Sequence, residues 1–362
     1  MTGVGVFGWS ALTSAGEATS AATASLPRSD APVAPGTGTG GLPSESLPSP
    51  RGHVVPGFDI RARLGRKGTS TYDRATGLAV ACCGDALGAA ELAADADRGR
   101  VGVVLGTTIG SFRSTSDFSR ETLVQEKPYL VNPMLFPNTV MNGAAGQVAI
   151  RHGLRGVNAT VAGGALGFLN AVRYAEMVLA GGYADVMLAG AVEEFSAHRA
   201  WAAHLTGTTA EVPLGEAAAV FVLSAPRPPA WVGAAPVADL VTATGFGPGG
   251  TGTRALLACA RRALDRAGVA PADITAVLTG EADEAGQDEY AAVAGLLHHR
   301  PRRVAAKRLL GECDAASAAA ALAVWLADPE PAGPALLTAR NADGAVAVAV
   351  VRRCADAGTG DR

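Results

Sequence analysis

At 362 residues, 48% of them hydrophobic and 17% charged, the chain has ample material for a large buried core built in more than one structural half. Its net charge of -3 argues neither for nucleic acid nor for a strongly charged surface partner. No apolar run reaches the ~18 residues expected of a membrane-spanning helix, and the N-terminus has no charged region followed by an unbroken apolar stretch.

Five cysteines, Cys82, Cys83, Cys259, Cys313 and Cys354, show neither metal-ligand spacing nor an even-numbered framework. The expectation is reduced thiols in a cytoplasmic protein, with no cofactor or metal implied.

In chain order, Val4 to Thr13 reads as a strand leading into a Gly/Ser turn. Pro27 to Pro56 is dense in Pro, Gly and Ser without periodicity, and reads as a long loop. From Tyr72 to Leu92 small and apolar residues recur at helical spacing, and Arg100 to Gly106 then gives a buried strand over Val101 to Leu105. A similar unit returns later: Arg254 to Gly268 is an amphipathic helix with Ala, Leu and Cys on one face, followed by a strand from Ile274 to Leu278. His298-His299-Arg300 offers no third ligand and reads as a surface feature. Strands at Ala335 to Ala339 and Ala345 to Val351 are joined by Asn341 to Gly344, whose Asp-Gly pair favours a tight hairpin. Helices alternating with buried strands in two halves predict a layered α/β architecture. The Pro-rich stretch from Ser224 to Ala234 divides it into residues 1–225 and 226–362.

The run from Gly156 to Phe168 resembles the strand-to-helix turn that carries the nucleophile of β-ketoacyl synthases. Asn170 to Ala175 and Tyr183 to Glu193 both fall at ketosynthase spacing without a gap. Ala165 stands where those enzymes have cysteine. A methyl group forms no thioester, so covalent catalysis from this turn is excluded.

The resemblance also implies two histidines that stabilise an oxyanion. The first opens a His-Gly-Thr-x-Thr pattern after a strand that ends here at Leu278, and Thr279 takes its place, followed by Gly280 to Gln287. The second closes a Lys-Ser-x-x-Gly-His pattern before an alanine-rich helix. Here Lys307 and Gly311 remain while Glu312 replaces the histidine. A carboxylate repels a developing oxyanion, whose stabilisation is usually the largest catalytic contribution, so the substitution is expected to reverse the sign of the local charge. The ketosynthase Gly-Phe-Gly-Gly loop is reduced to Asn341-Ala342-Asp343-Gly344. Asp185, Glu193, Gly215-Glu216 and Lys307 match framework positions and read as anchors of turns and buried polar contacts. Four departures within an intact framework describe a subunit that does not condense.

The resemblance covers nearly the whole chain and implies the thiolase-like fold, with two pseudo-repeated halves forming a five-layered α-β-α-β-α core. Inert copies in this family are chain length factors, the ketosynthase β subunits of type II polyketide synthases. Each pairs with a catalytic ketosynthase α subunit across a two-fold axis, through the strand after the nucleophile helix. The growing chain, delivered by an acyl carrier protein, runs along an interface tunnel whose end is closed by bulky side chains. The matching stretch here spans Thr107 to Met141, with Phe112, Thr115, Phe118, Met134, Phe136 and Met141 as candidate liners. For any one of these, ordinary core packing is the competing reading. Arg61, Arg63, Arg66 and Lys67 form a basic cluster that fits either an acidic carrier protein or a plain solvated face. Alanine in place of the family's commoner glutamine, and a shorter chain, point toward members serving highly reducing, polyene-forming systems.

Two alternatives remain open on sequence. One is an enzyme with relocated chemistry at Cys313, as a stand-alone malonyl-thioester decarboxylase or acyltransferase. Against it, the flanking Glu312 and Asp314 would raise the thiol's pKa. The other is a pure scaffold subunit.

Overall fold

The computed structural model describes residues 3–22, 26, 47–49, 51–207, 212–248, 251–280, 288–330 and 333–354. Most of the loop expected from Pro27 to Pro56, and Glu281 to Gln287, lie outside the described residues.

The first half runs β1 (Val4–Thr13), β2 (Gly16–Thr19), α1 (Ile60–Leu64), α2 (Arg74–Ala89), β3 (Val101–Thr107), α3 (Phe112–Val124), α4 (Gly143–His152), β4 (Asn158–Ala162), α5 (Gly167–Ala180), β5 (Val186–Glu193), α6 (Ala197–Leu205) and β6 (Ala217–Ser224). The second runs β7 (Ala238–Phe246), α7 (Gly252–Ala267), β8 (Ala276–Leu278), α8 (Asp288–Leu297), β9 (Arg302–Val304), α9 (Ala306–Leu310), α10 (Ser317–Ala327), β10 (Ala335–Arg340) and β11 (Ala345–Arg353).

The internal repeat is legible in the strand order. The first half reads β4-β3-β5-β6-β1 and the second, from its far edge, β9-β8-β10-β11-β7. With β2 set aside, since it lies off this path and pairs with β1, both are third, second, fourth, fifth, first. The pairing senses repeat as well: β3 lies parallel to β4 and β5, as β8 does to β9 and β10, and the two remaining pairs of each half are antiparallel. An antiparallel seam between β1 and β7, pairing Val4 with Leu240 and Val6 with Ala238, joins the halves.

Helix composition sorts the layers. In α7 only one side is buried, through Leu256, Cys259, Ala260, Ala263 and Leu264, as expected of a helix with solvent behind it. In α10 nine of the eleven residues are buried, on every side, including Trp325. A helix apolar all round belongs between two sheets, and α10 touches β6 and β1 of the first half as well as β8 and β10 of its own. Likewise α5 touches β3 and β5, and also β7 and β11. The two helices form the middle layer, with α2 and α4 outside the first sheet and α7 and α8 outside the second. The five layers expected from the resemblance are present.

One expectation is corrected. The strand after the nucleophile helix, β5, was expected to pair across a two-fold axis, but it is hydrogen-bonded along both sides, to β3 and to β6. It has no edge to offer. The edge of the first half is β4, the strand before the turn. Among the described residues no helix is long and apolar enough to cross a membrane.

Candidate functional site

The turn between β4 and α5 is built from Gly163 and a tight helical turn, Gly164 to Leu166. Gly164 has φ +53, a conformation that L side chains rarely adopt. Close packing supports the turn from below, because a Cβ at Gly106 of β3 would lie 2.4 Å from the Gly167 carbonyl carbon. Ala165 sits at the tip. Its N–H donates to Asn341 Oδ1 at 3.1 Å, and Asn341 Nδ2 donates to the Gly163 carbonyl at 3.1 Å. The hairpin between β10 and β11 thus reaches from the second half onto the turn of the first.

Beside Ala165 lies a cavity of about 150 Å³, lined among others by Gly280, Glu289, Lys307, Ser317, Thr338 and Arg340. Glu289 is buried, accepts a hydrogen bond from the Thr338 hydroxyl and pairs with Arg340 Nε at 3.2 Å. Thr279, which the resemblance sets at the first histidine's position, is buried, and its hydroxyl accepts from Arg303 Nε at 3.4 Å.

Glu312 is fully engaged. Oε2 is 2.5 Å from Lys307 Nζ, while Oε1 accepts from the Asp314 N–H at 3.0 Å and the Ser317 hydroxyl at 3.1 Å. The expected reversal of local charge is therefore corrected: Lys307 balances the carboxylate, and the site holds an ion pair where a bare negative charge was expected. Arg199 closes the same corner, bonding the carbonyls of Glu194, Gly215 and Glu312 and the Asp314 carboxylate at 2.5 Å.

Cys313 is completely buried. Burial holds its thiol far above the ordinary value, and Glu312 and Asp314 add to this while Arg199 opposes it. The direction matches the sequence expectation, but desolvation is the main cause and the carboxylates are secondary. A buried, protonated thiol offers no nucleophile.

The framework acids anchor structure. Glu216 accepts from the backbone N–H of Val55 and Phe195 and forms a two-point pair with Arg74. Asp185 pairs with Arg100 at 2.6 Å. Glu193 accepts from the Thr108 N–H and the Thr107 hydroxyl. Burial pushes Glu193 up to about 7, and also Glu194, which accepts from Ser111 and the Arg113 N–H.

The six candidate liners do not converge on one cavity. Met141 lines a hollow shared with Asp73, Thr107, Ser111 and Thr160 of the edge strand β4. Phe118 and Phe136 meet at 6.0 Å between ring centroids. Thr115 returns its hydroxyl to the Ser111 carbonyl at 3.0 Å, and Phe112 begins α3. Met134, Phe136 and Met141 are exposed, in a run with Leu123, Val124, Tyr129, Leu130 and Val140.

In the basic cluster, Arg63 is committed to Asp85 and Glu17 within the chain, leaving Arg61, Arg66 and Lys67 exposed around α1. His299 places both ring nitrogens on carbonyls, those of Leu297 and Ile274, which raises its pKa. Sequence reasoning missed Glu289 and Arg340, which lie in no motif, and read Asn341 only as part of a hairpin turn and a lost loop, with no contact to the elbow.

The model for the N-terminal domain of β-ketoacyl synthase matches residues 44–211. The solved structure titled the ishigamide ketosynthase/chain length factor superposes with a TM-score of 0.80 at 35% identity, covering 98% of this chain and 100% of that one. A structure of a type II PKS acyl-carrier protein in complex with its ketosynthase bound to the hexaketide gives a TM-score of 0.79 over 98% of this chain and 100% of that one, at 16% identity, a likeness of fold alone. A 3-oxoacyl-[acyl-carrier-protein] synthase 2 of Vibrio cholerae is 29% identical over 144 residues, 40% of this chain and 34% of that protein. The chain thus spans about a third of that curated relative.

Proposed function

The chain belongs to the ketosynthase-like family of thiolase-like fold, and from that premise we propose that it is the non-catalytic subunit of a type II polyketide synthase. It pairs with a catalytic ketosynthase whose cysteine does the condensing, and an acyl carrier protein brings the growing chain. The observation that carries this reading is an elbow preserved in geometry around a methyl group: Ala165 at the tip, Gly164 at positive φ, and the turn's amide already bonded to Asn341.

Two features support the pairing. Among the described residues strand β4 pairs on one side only, with β3, and unpaired strand edges invite another chain. Exposed apolar side chains recur from Leu123 to Met141, the last two of them, Val140 and Met141, lining a hollow that Thr160 of β4 borders, and patches of this kind mark association surfaces. In this role Met141, beside a hollow of only about 10 Å³, closes the end of the partner's acyl tunnel, and its bulk helps set product length. The alanine at position 165 and the shorter chain support reading the system as a highly reducing, polyene-forming pathway of the cytoplasm.

The test is co-purification with a candidate catalytic ketosynthase, with carrier-bound products assayed for the complex and for each subunit alone. Activity confined to a one-to-one complex is the expected result. Acyl labelling or malonyl turnover by this chain alone would overturn the reading in favour of relocated chemistry.

A further inference from the structure

Building on the reading of the chain as an inert ketosynthase-like subunit, we infer that Asn341 is a positioning residue that closes the vestigial elbow to an acyl carbonyl. The Ala165 N–H lies at the tip of the turn, two residues before α5 begins. An amide at the positive end of a helix is the donor that a thioester oxygen needs while its carbon is attacked. Here that donor is taken by Asn341 Oδ1 at 3.1 Å.

The side-chain amide is tied at both ends, since Nδ2 donates to the Gly163 carbonyl, and only one orientation of the group satisfies both bonds. It also fills the space above the turn, because a Cβ built at Gly164 would stand 3.1 Å from Asn341 Oδ1. The hairpin holds it there: the Asn341 N–H donates to the Ala345 carbonyl at 2.9 Å, the Gly344 N–H to the Asn341 carbonyl at 3.1 Å, and the Gly247 N–H to the Gly344 carbonyl at 2.9 Å. The loss of function at this site is therefore double. The nucleophile is absent, and the position of its substrate's oxygen is occupied.

The experiment introduces a thiol by Ala165→Cys in the full chain, alone and together with Asn341→Ala or Asn341→Asp. The acyl donor is hexanoyl-N-acetylcysteamine. Attack by the introduced thiolate forms one carbon–sulfur bond and breaks the donor's, and N-acetylcysteamine leaves carrying the proton the thiol gave up. Peptide mass at residue 165 follows this acylation, apart from any at the part-exposed Cys354. Alkylation by iodoacetamide, a displacement that forms no oxyanion, reports access to the same thiol and the integrity of the fold.

The ratio of acylation to alkylation is expected to rise on the order of 10-fold to 100-fold with Asn341→Ala. With Asn341→Asp, which keeps an acceptor for the amide but loses the donor to the Gly163 carbonyl, the rise is smaller. Equal ratios in all three proteins, or a rise with Asn341→Asp as large as with Asn341→Ala, would overturn the inference. Pairing with the catalytic ketosynthase is measured separately, so failure of the subunit reading leaves this ratio interpretable.

Discussion

Lys307 Nζ stands 2.5 Å from Glu312 Oε2, and both side chains are largely withdrawn from solvent. The pair ties the start of α9 to the turn before α10, and its Lys307 lines the cavity beside Ala165. Removing one member leaves a half-buried charge without its partner. Lys307→Met is expected to lower unfolding free energy by about 1–3 kcal/mol. Lys307→Met combined with Glu312→Gln recovers part of that loss. Chemical denaturation of the four proteins in a double-mutant cycle checks this, and strict additivity would show that the pair is not coupled.

Glu193 gives the chain a pH dependence. Its carboxyl is pushed from 4.5 to about 7, by burial first. A pKa raised in the folded state means that the folded chain binds the proton more tightly. The associated stability is full below pH 4.5 and is lost as pH rises through about 7. Glu193→Gln keeps the acceptor for Thr108 and carries no charge. Its melting temperature should therefore gain on that of the parent between pH 5 and pH 8, by an amount equivalent to about 3 kcal/mol. A difference that stays constant across that range would show that Glu193 does not titrate there.

Product length should respond at Met141, the one candidate liner that borders the hollow next to β4. With the catalytic partner present, Met141→Ala is expected to shift products toward longer chains while synthesis continues, and Phe112→Ala to have a smaller effect. Mass analysis of released polyketides decides it. An unchanged distribution for both variants removes these side chains from the tunnel.

Association should fail when charge is placed on the exposed apolar run. Leu130 and Met134 are 49% and 60% exposed, so Leu130→Lys with Met134→Lys leaves the chain's own melting temperature within about 2 °C. Co-purification of the catalytic ketosynthase is expected to be lost. Retention of a one-to-one complex would place the interface elsewhere.

Strands and helices with one dominant period were readable from the chain. The amphipathic α7 and the buried β3 fall where composition put them, since local pattern alone specifies such elements. The absent nucleophile was equally plain, being a matter of one residue in a matched turn. What stayed hidden depends on packing between distant segments. Nothing near Asn341 in sequence announces that it will cap an amide 176 positions away. Nor does Glu312 disclose that Lys307 will neutralise it, because charge compensation depends on rotamers and distance. The choice of edge strand was misjudged for a similar reason, since strand order is a property of the whole sheet and β5 looks no different from an edge strand when read alone.

The middle layer has a consequence for protein engineering. Helix α10, from the second half, covers strands β1 and β6 of the first, and α5 returns the service to β7 and β11. Cutting the chain between β6 and β7 would leave each fragment with a naked apolar sheet face and a greasy helix with nowhere to lie. Chimaeras intended to transplant length control from one system to another should therefore exchange whole subunits or individual cavity side chains. Swaps of half-chains are expected to yield insoluble material.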